Sequence, residues 1–239
     1  YYEVKKMTNM IVIAELSKGT IHPSTAELVT AAHAYGGEPT LVVPCTDASI
    51  ANSVQSLSGV SKIIAVKSDV FDGNDSSGWA SALDSAIPSG TVLCLATTRS
   101  KDVAARLAAR RNISVVQDVT GINGTNLTSP IYSGKANQTV SVSGEAVITV
   151  RANVFDSAGN DGSCDVSVVD ASGDVKTAVQ EILQRANTRL DVSEANIVIS
   201  GGRGMGSPAN FAHLEAVADT IGAAVGAVSY THLTLPTKA

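Results

Sequence analysis

The sequence predicts an α/β protein: a parallel-sheet N-terminal domain, an added antiparallel strand region and the start of a second α/β domain. Three observations carry that expectation. Short apolar runs alternate with stretches of helical spacing from residue 10 to residue 119. The pattern turns to short, alternating runs near residue 120. A strand, a glycine-rich turn and a helix then follow one another between residues 196 and 221. Alternating strands and helices with short links imply a parallel sheet covered by helices on both faces. Right-handed crossovers place the loops that lead into those helices at one edge of the sheet.

Residues 10–14 (Met-Ile-Val-Ile-Ala) form the first strand-type run. Pro23 and Ser24 open a helix whose Leu28, Ala31, Ala32 and Tyr35 recur on one face, and Gly36-Gly37 end it. Residues 40–43 are the next strand. Asp47 is placed to cap a helix carrying Ile50, Ala51, Val54 and Leu57, which Gly59 stops. Residues 62–66 are a strand and residues 72–78 a polar loop. A helix with Trp79, Ala82, Leu83 and Ala86 follows, broken by Pro88. Residues 91–96 are a strand, and Ser100 precedes a helix with Val103, Ala104, Leu107 and Ala108. Residues 115–119 close the parallel series. Beyond it, residues 121–129 read as a polar loop. Residues 131–132, 138–142 and 146–152 read as antiparallel strands, the last two joined at Gly144-Glu145. Residues 156–162 are a loop and 164–169 a strand. Residues 176–190 fit a helix through Val179, Ile182, Leu183 and Ala186. They fit an extended run through Thr177, Val179, Glu181 and Leu183 equally well.

Composition narrows the function classes. With 44% hydrophobic and 16% charged residues over 239 positions, the chain can bury a core without disulfides or a structural metal. A net charge of −5 leaves no basic footprint for nucleic acid. No apolar run is long enough to insert across a bilayer as a helix. Cys45, Cys94 and Cys164 are widely spaced and form no disulfide framework or zinc pattern, and Cys45 and Cys94, in or just after apolar runs, read as small buried thiols. His22, His33, His213 and His232 lack metal-ligand spacing. Asp118, near a strand's carboxyl end, reads as a solvated or capping aspartate. Arg99-Ser100-Lys101 reads as a partner-facing loop or solvated surface. Residues 1–6 read as a non-native leader, a translated ribosome-binding sequence before an initiator at Met7.

One segment carries chemistry. Residues 196–200 (Asn-Ile-Val-Ile-Ser) form a strand, followed directly by Gly201-Gly202-Arg203-Gly204-Met205-Gly206 and by a helix opened at Ser207-Pro208. Such a turn offers backbone N–H groups at a positive helix end, which suits a phosphate or pyrophosphate. Arg203 adds a fixed charge with donors matched to phosphate oxygens. A tight turn with no ligand is the other reading. The usual dinucleotide fingerprint fails, because Ser207 stands where the third glycine belongs. The G-K-[ST] of an NTPase loop is absent.

Residues 197–204 (Ile-Val-Ile-Ser-Gly-Gly-Arg-Gly), then Asn210-Phe211 and residues 223–227, closely resemble the α subunit of electron transfer flavoproteins. Residues 96–103 resemble that family's A-T-T-x-x-K-x-V loop, Gln117-Asp118-Val119-Thr120 its S-D-V/I stretch, and residues 129–136 its R-P-I-Y-A-G-N-A turn. The resemblance implies a Rossmann-like N-terminal domain packed against a β subunit in a heterodimer, and a C-terminal α/β domain that binds FAD. It implies a bacterial, cytoplasmic electron carrier and not an enzyme. Electrons come from dehydrogenases, such as the acyl-CoA dehydrogenases of fatty acid oxidation, and pass to a quinone reductase or another acceptor. Arg203 matches the family's FAD-contacting arginine, and Gly201, Gly202 and Gly204 match its turn. The family favours the extended reading of residues 176–190.

The chain also departs from the pattern. Val228 and Ser229 stand where the family has a Ser-Arg pair, and its later G-Q-T-G and S-G-A-x-Q-H segments are missing. Residues 228–239 resemble a translated sequencing adapter. The expected organisation is a leader at 1–6, an N-terminal domain at 7–190, the truncated start of the FAD-binding domain at 191–227 and an artefactual tail at 228–239. That fragment is expected to bind FAD poorly. The competing readings are an NAD-dependent enzyme with a related glycine-rich domain and a ligand-free scaffold subunit.

Overall fold

The computed structural model describes residues 9–17, 19–177, 190, 192, 195 and 197–227. The expectations for residues 1–6, 178–189 and 228–239 lie outside them. The rest fall into two units, divided between residues 180 and 181.

The first unit starts with strand β1 (Met10–Ile13), whose four residues are all buried. Successive side chains of a strand point to opposite faces. Met10 and Val12 therefore enter one core, and Ile11 and Ile13 the other. A small antiparallel hairpin, β2 (Leu16–Ser17) and β3 (Thr20–Ile21), leads to helix α1 (Thr25–Tyr35), which ends at Gly36 with φ 122°. Strand β4 (Pro39–Cys45) follows. Asp47 does cap the next turn, accepting from Ser49 N at 3.0 Å, but that turn is a 3-10 helix over Ala48–Val54. Strand β5 (Lys62–Lys67), helix α2 (Ser76–Ala86), strand β6 (Thr91–Leu95) and helix α3 (Thr98–Arg111) complete the alternation. Helix α3 begins two residues before Ser100, because Thr97 is its cap and accepts from Ser100 N at 3.1 Å. Strand β7 (Ser114–Val119) comes next.

Beyond residue 120 the structure corrects the sequence reading. Residues 121–129 are not a loop: they hold β8 (Gly121–Asn123) and the start of β9 (Asn126–Ile131). With β10 (Ala136–Ser141) these make a three-stranded antiparallel sheet. Its Thr and Asn residues face outward, Thr128 bonding Thr139 at 3.0 Å, while Leu127 is fully buried. One exposed face makes such strands look like a loop. Tyr132 belongs to the turn after β9, where Tyr132, Ser133 and Gly134 all have positive φ.

The larger correction concerns β11 (Ala146–Val150). It is no hairpin strand: it lies between β6 and β7 and runs parallel to both. All five of its residues are buried. A strand covered on both faces has no polar alternation to display, so Ala-Val-Ile-Thr-Val suits the middle of a parallel sheet. Strand β12 (Val166–Asp170) likewise joins β5 in parallel. The seven-stranded order is β12-β5-β4-β1-β6-β11-β7, with every neighbouring pair parallel. Leu28, Val29 and Ala32 of α1 cover one face, with Leu127 of β9. Trp79 and Leu83 of α2 and Val103 and Leu107 of α3 cover the other.

The second unit begins with β13 (Val198–Gly201), helix α4 (Phe211–Ile221) and β14 (Ala224–Ala227), with β13 and β14 parallel. No helix among the described residues is long and apolar enough to cross a membrane.

Asp75 caps α2 and also holds the segment that leaves the first unit. Its carboxylate accepts from Gly78 N at 2.8 Å, Lys176 N at 2.9 Å and Thr177 Oγ1 at 2.7 Å. Those bonds, Thr177's foremost, hold its pKa down at about 2. A carboxyl depressed in the folded state stabilises above its ordinary pKa and stops doing so as pH falls through the folded value. Asp75→Ala is therefore expected to lower the melting temperature at neutral pH. The gap from wild type should close between about pH 4 and pH 2, which circular dichroism melts across that range will show. Ile148→Ala, in the middle of β11, should cost about 2–5 kcal/mol in denaturant unfolding. A loss well under about 1 kcal/mol would contradict its central place.

Candidate functional site

The glycine-rich turn sits at the carboxyl end of β13. Gly202 begins a 3-10 turn over Arg203–Met205, Gly206 takes φ 70°, and Ser207 caps a second 3-10 turn over Pro208–Asn210 that feeds α4. The bonds within it are Met205 N to Gly202 O at 3.0 Å, Gly206 N to Arg203 O at 3.1 Å and Ala209 N to Ser207 Oγ at 3.1 Å. Asn210 Nδ2 also donates to Met205 O, at 2.5 Å. The N–H groups of Arg203 and Gly204 open the first turn, where no acceptor exists within the turn itself.

The four residues singled out in the sequence stand together but do different work. A Cβ on Gly201 would lie 2.8 Å from Leu214 Cδ1 and Phe211 Cζ, so its missing side chain lets α4 pack on β13. Around Gly202 and Gly204 a Cβ would meet nothing within 4 Å, which leaves their flank open. Arg203 is exposed, and its side chain has no partner among the described residues. An open flank, N–H groups without an acceptor in the turn and a free guanidinium together suit a phosphate-bearing group. The residues present thus fit the phosphate part of a dinucleotide.

The strand ends of the first unit hold a second polar constellation, and here the sequence reading needs correction. Arg99-Ser100-Lys101 is not simply solvated surface. Arg99 Nη2 donates to Glu15 Oε1 at 3.0 Å and to Leu16 O at 2.6 Å, and its guanidinium lies 4.5 Å from the Trp79 ring centroid. Ser100 Oγ also donates to Glu15, while Lys101 Nζ reaches Asp118 at 3.7 Å. Asp118 is partly exposed and caps no helix; it is held in ion pairs. Arg151 grips both its oxygens, and its N–H donates to Thr149 Oγ1 at 2.9 Å. Those Arg151 hydrogen bonds, aided by the Lys101 charge, hold its carboxyl below the usual range. Sequence reasoning missed Glu15 and Arg151. The available signal was a charge directly after a buried strand, where a lone ionised group needs a partner.

Cys45 and Cys94 are buried as expected, whereas Cys164 is half-buried. Burial, with the Glu15 charge adding to it, pushes the Cys94 thiol up to about 12. Cys45 is buried and raised as well, and Cys164 Sγ donates to Val60 O at 2.8 Å. His33 Nε2 lies 2.7 Å from Gly59 O. No group of three metal-ligating side chains occurs among the described residues.

Comparison with known proteins follows this division. Residues 10–174 match the family model of the electron transfer flavoprotein domain. Residues 191–231 match the electron transfer flavoprotein FAD-binding domain. The electron transfer flavoprotein subunit alpha of Mycobacterium leprae is 34% identical over 92% of this chain and 72% of its own length. That of Paracoccus denitrificans is 32% identical over 91% and 72%, and that of Bacillus subtilis 28% over 91% and 71%. The chain belongs to the electron transfer flavoprotein α-subunit family, a family of electron carriers.

Proposed function

We propose that this chain is the α half of a heterodimeric, FAD-containing electron carrier of the bacterial cytoplasm. Its partner is an electron transfer flavoprotein β subunit. The carrier takes electrons from dehydrogenases, acyl-CoA dehydrogenases among them, and delivers them to a quinone reductase or another acceptor. Residues 7–190 form the domain that meets the β subunit, and residues 191–227 contribute to FAD binding. The observation that supports this most is the Gly201–Gly204 turn. It lies in the part of the chain matched by the FAD-binding family model, and its free guanidinium stands beside an open glycine flank.

When bound, the flavin supplies reversible electron acceptance. The chain's own residues bind and orient it: Arg203 and the N–H groups that open its turn hold phosphate oxygens, and Gly202 and Gly204 admit the ligand to the backbone. Gly201 keeps α4 and β13 close enough to set the turn's shape.

The test is co-expression with an electron transfer flavoprotein β subunit, followed by FAD titration read as quenching of flavin fluorescence. A co-purifying heterodimer that quenches flavin, though weakly because only part of the FAD-binding domain is present, is expected. Arg203→Ala should weaken binding by about 10- to 100-fold, the size of one to two charge-assisted hydrogen bonds. Gly204→Ala should weaken binding while leaving the melt unchanged, whereas Gly201→Ala should lower the melting transition. A folded chain that neither captures the β subunit nor quenches flavin would sink the reading.

A further inference from the structure

The first unit has its own place for a ligand. Its strand order reverses between β1 and β6, and open α/β sheets take ligands at the carboxyl ends of such strands. An anion commonly sits there at the start of the next helix. That helix is α3, and its first turn presents three side-chain donors: Thr97 Oγ1, the Arg99 guanidinium and Ser100 Oγ.

All three donors already serve one carboxylate. Glu15, two residues past β1, accepts from Thr97 Oγ1 at 3.3 Å and Arg99 Nη2 at 3.0 Å through Oε1, and from Ser100 Oγ through Oε2. Glu15 is 7% exposed, and its own N–H donates to Thr25 Oγ1 at 3.3 Å. Arg99 is fixed as well. It stacks on Trp79, it donates to Leu16 O, and its buried Nε has no acceptor. Beside it opens a cleft of about 500 Å³, lined by Leu16, Cys45, Asp47, Asp72 and Arg99 among others. A fixed guanidinium and two hydroxyls at a helix start make a phosphate cradle, and here the chain fills it from within.

We propose that Glu15 is a built-in anion that occupies the phosphate position of this crevice and so closes the first unit to phosphate-bearing ligands. An incoming phosphate would meet a buried negative charge at contact distance and find no free hydroxyl. Glu15 is thus a specificity-determining residue: it leaves the turn at Arg203 as the anion-seeking strand-to-helix turn with a free guanidinium.

Trp79 is the sole tryptophan of the chain and lies under Arg99, so its fluorescence reports on this position directly. The full chain, Glu15→Ser and the isosteric Glu15→Gln are titrated with inorganic phosphate against chloride at equal ionic strength. Glu15→Ser is expected to bind phosphate at least about tenfold more tightly than wild type. Its Trp79 signal should saturate and its melting temperature should rise, as binding to the folded state requires. The wild-type Trp79 signal should respond to neither salt, and that of Glu15→Gln, with the cradle still filled, should not saturate. A wild-type response equal to that of Glu15→Ser overturns the proposal, as does a folded Glu15→Ser without one. If Glu15→Ser is unfolded in chloride, phosphate must restore its transition, and failure to do so also overturns the proposal.

Discussion

A parallel sheet buried on both faces gives its polar side chains one outlet, the strand ends. The seven-stranded sheet obeys that constraint. Helix α1 and the antiparallel sheet close one face, and α2 and α3 close the other. The charged contacts Glu15–Arg99, Lys101–Asp118 and Arg151–Asp118 all lie at or just past the carboxyl ends of β1, β6, β7 and β11. Each charge there is partly removed from water and so must meet a partner. The pairing that results joins the loops after adjacent strands to one another. The same burial leaves Cys94 a neutral packing residue, since its thiol cannot ionise near neutral pH.

The two units apply one device, a strand that turns into a helix with donors at its start, with opposite outcomes. In the first, Thr97, Arg99 and Ser100 converge on Glu15. In the second, Arg203 projects from a turn whose glycines leave space around it. The difference lies in what precedes the helix. The segment after β1 brings a carboxylate back onto the donors, whereas β13 runs straight into glycine. A family of electron carriers needs a firm hold on a cofactor more than reactive side chains, and an arginine with free donors on a glycine-lined turn suits the phosphate-binding part proposed for it.

Much of this was legible in the sequence, and the misses share a cause. Strands β1, β4, β5 and β6 with α1, α2 and α3 appear close to their expected places, because apolar spacing and caps such as Asp47 are local signals. The partner of a strand is not local. Ala146–Val150 reads as a hairpin by its distance from Gly144, and only packing between β6 and β7 reveals it as central. Strands β8 and β9 were hidden by their Thr and Asn residues, which are polar because one face meets water. The turn at Gly201 was legible as a motif, but the separate task of Gly201 was not. That task depends on Leu214 and Phe211, which α4 brings back onto the strand. Glu15 was invisible for the same reason, its donors being more than eighty positions away.

The backbone at Asp118 shows how far the strand-end network constrains its surroundings. Asp118 has φ 60°, a conformation that costs a non-glycine residue about 1–3 kcal/mol and persists only where neighbours enforce it. Two do so. Thr149 of β11 takes its N–H, and Arg151 holds both carboxylate oxygens. Asn153, at φ 61°, repeats the arrangement: its N–H donates at 2.6 Å to Glu27, a buried carboxylate on α1. In both places a side-chain oxygen accepts the N–H of a left-handed residue, Thr149 Oγ1 at Asp118 and Glu27 Oε2 at Asn153. The bulge between Ile148 and Val150 in the pairing of β11 with β7 falls at the same level. Interior strand β11 is therefore fixed at its carboxyl end by a charge pair as well as by burial. A hairpin strand would have neither restraint.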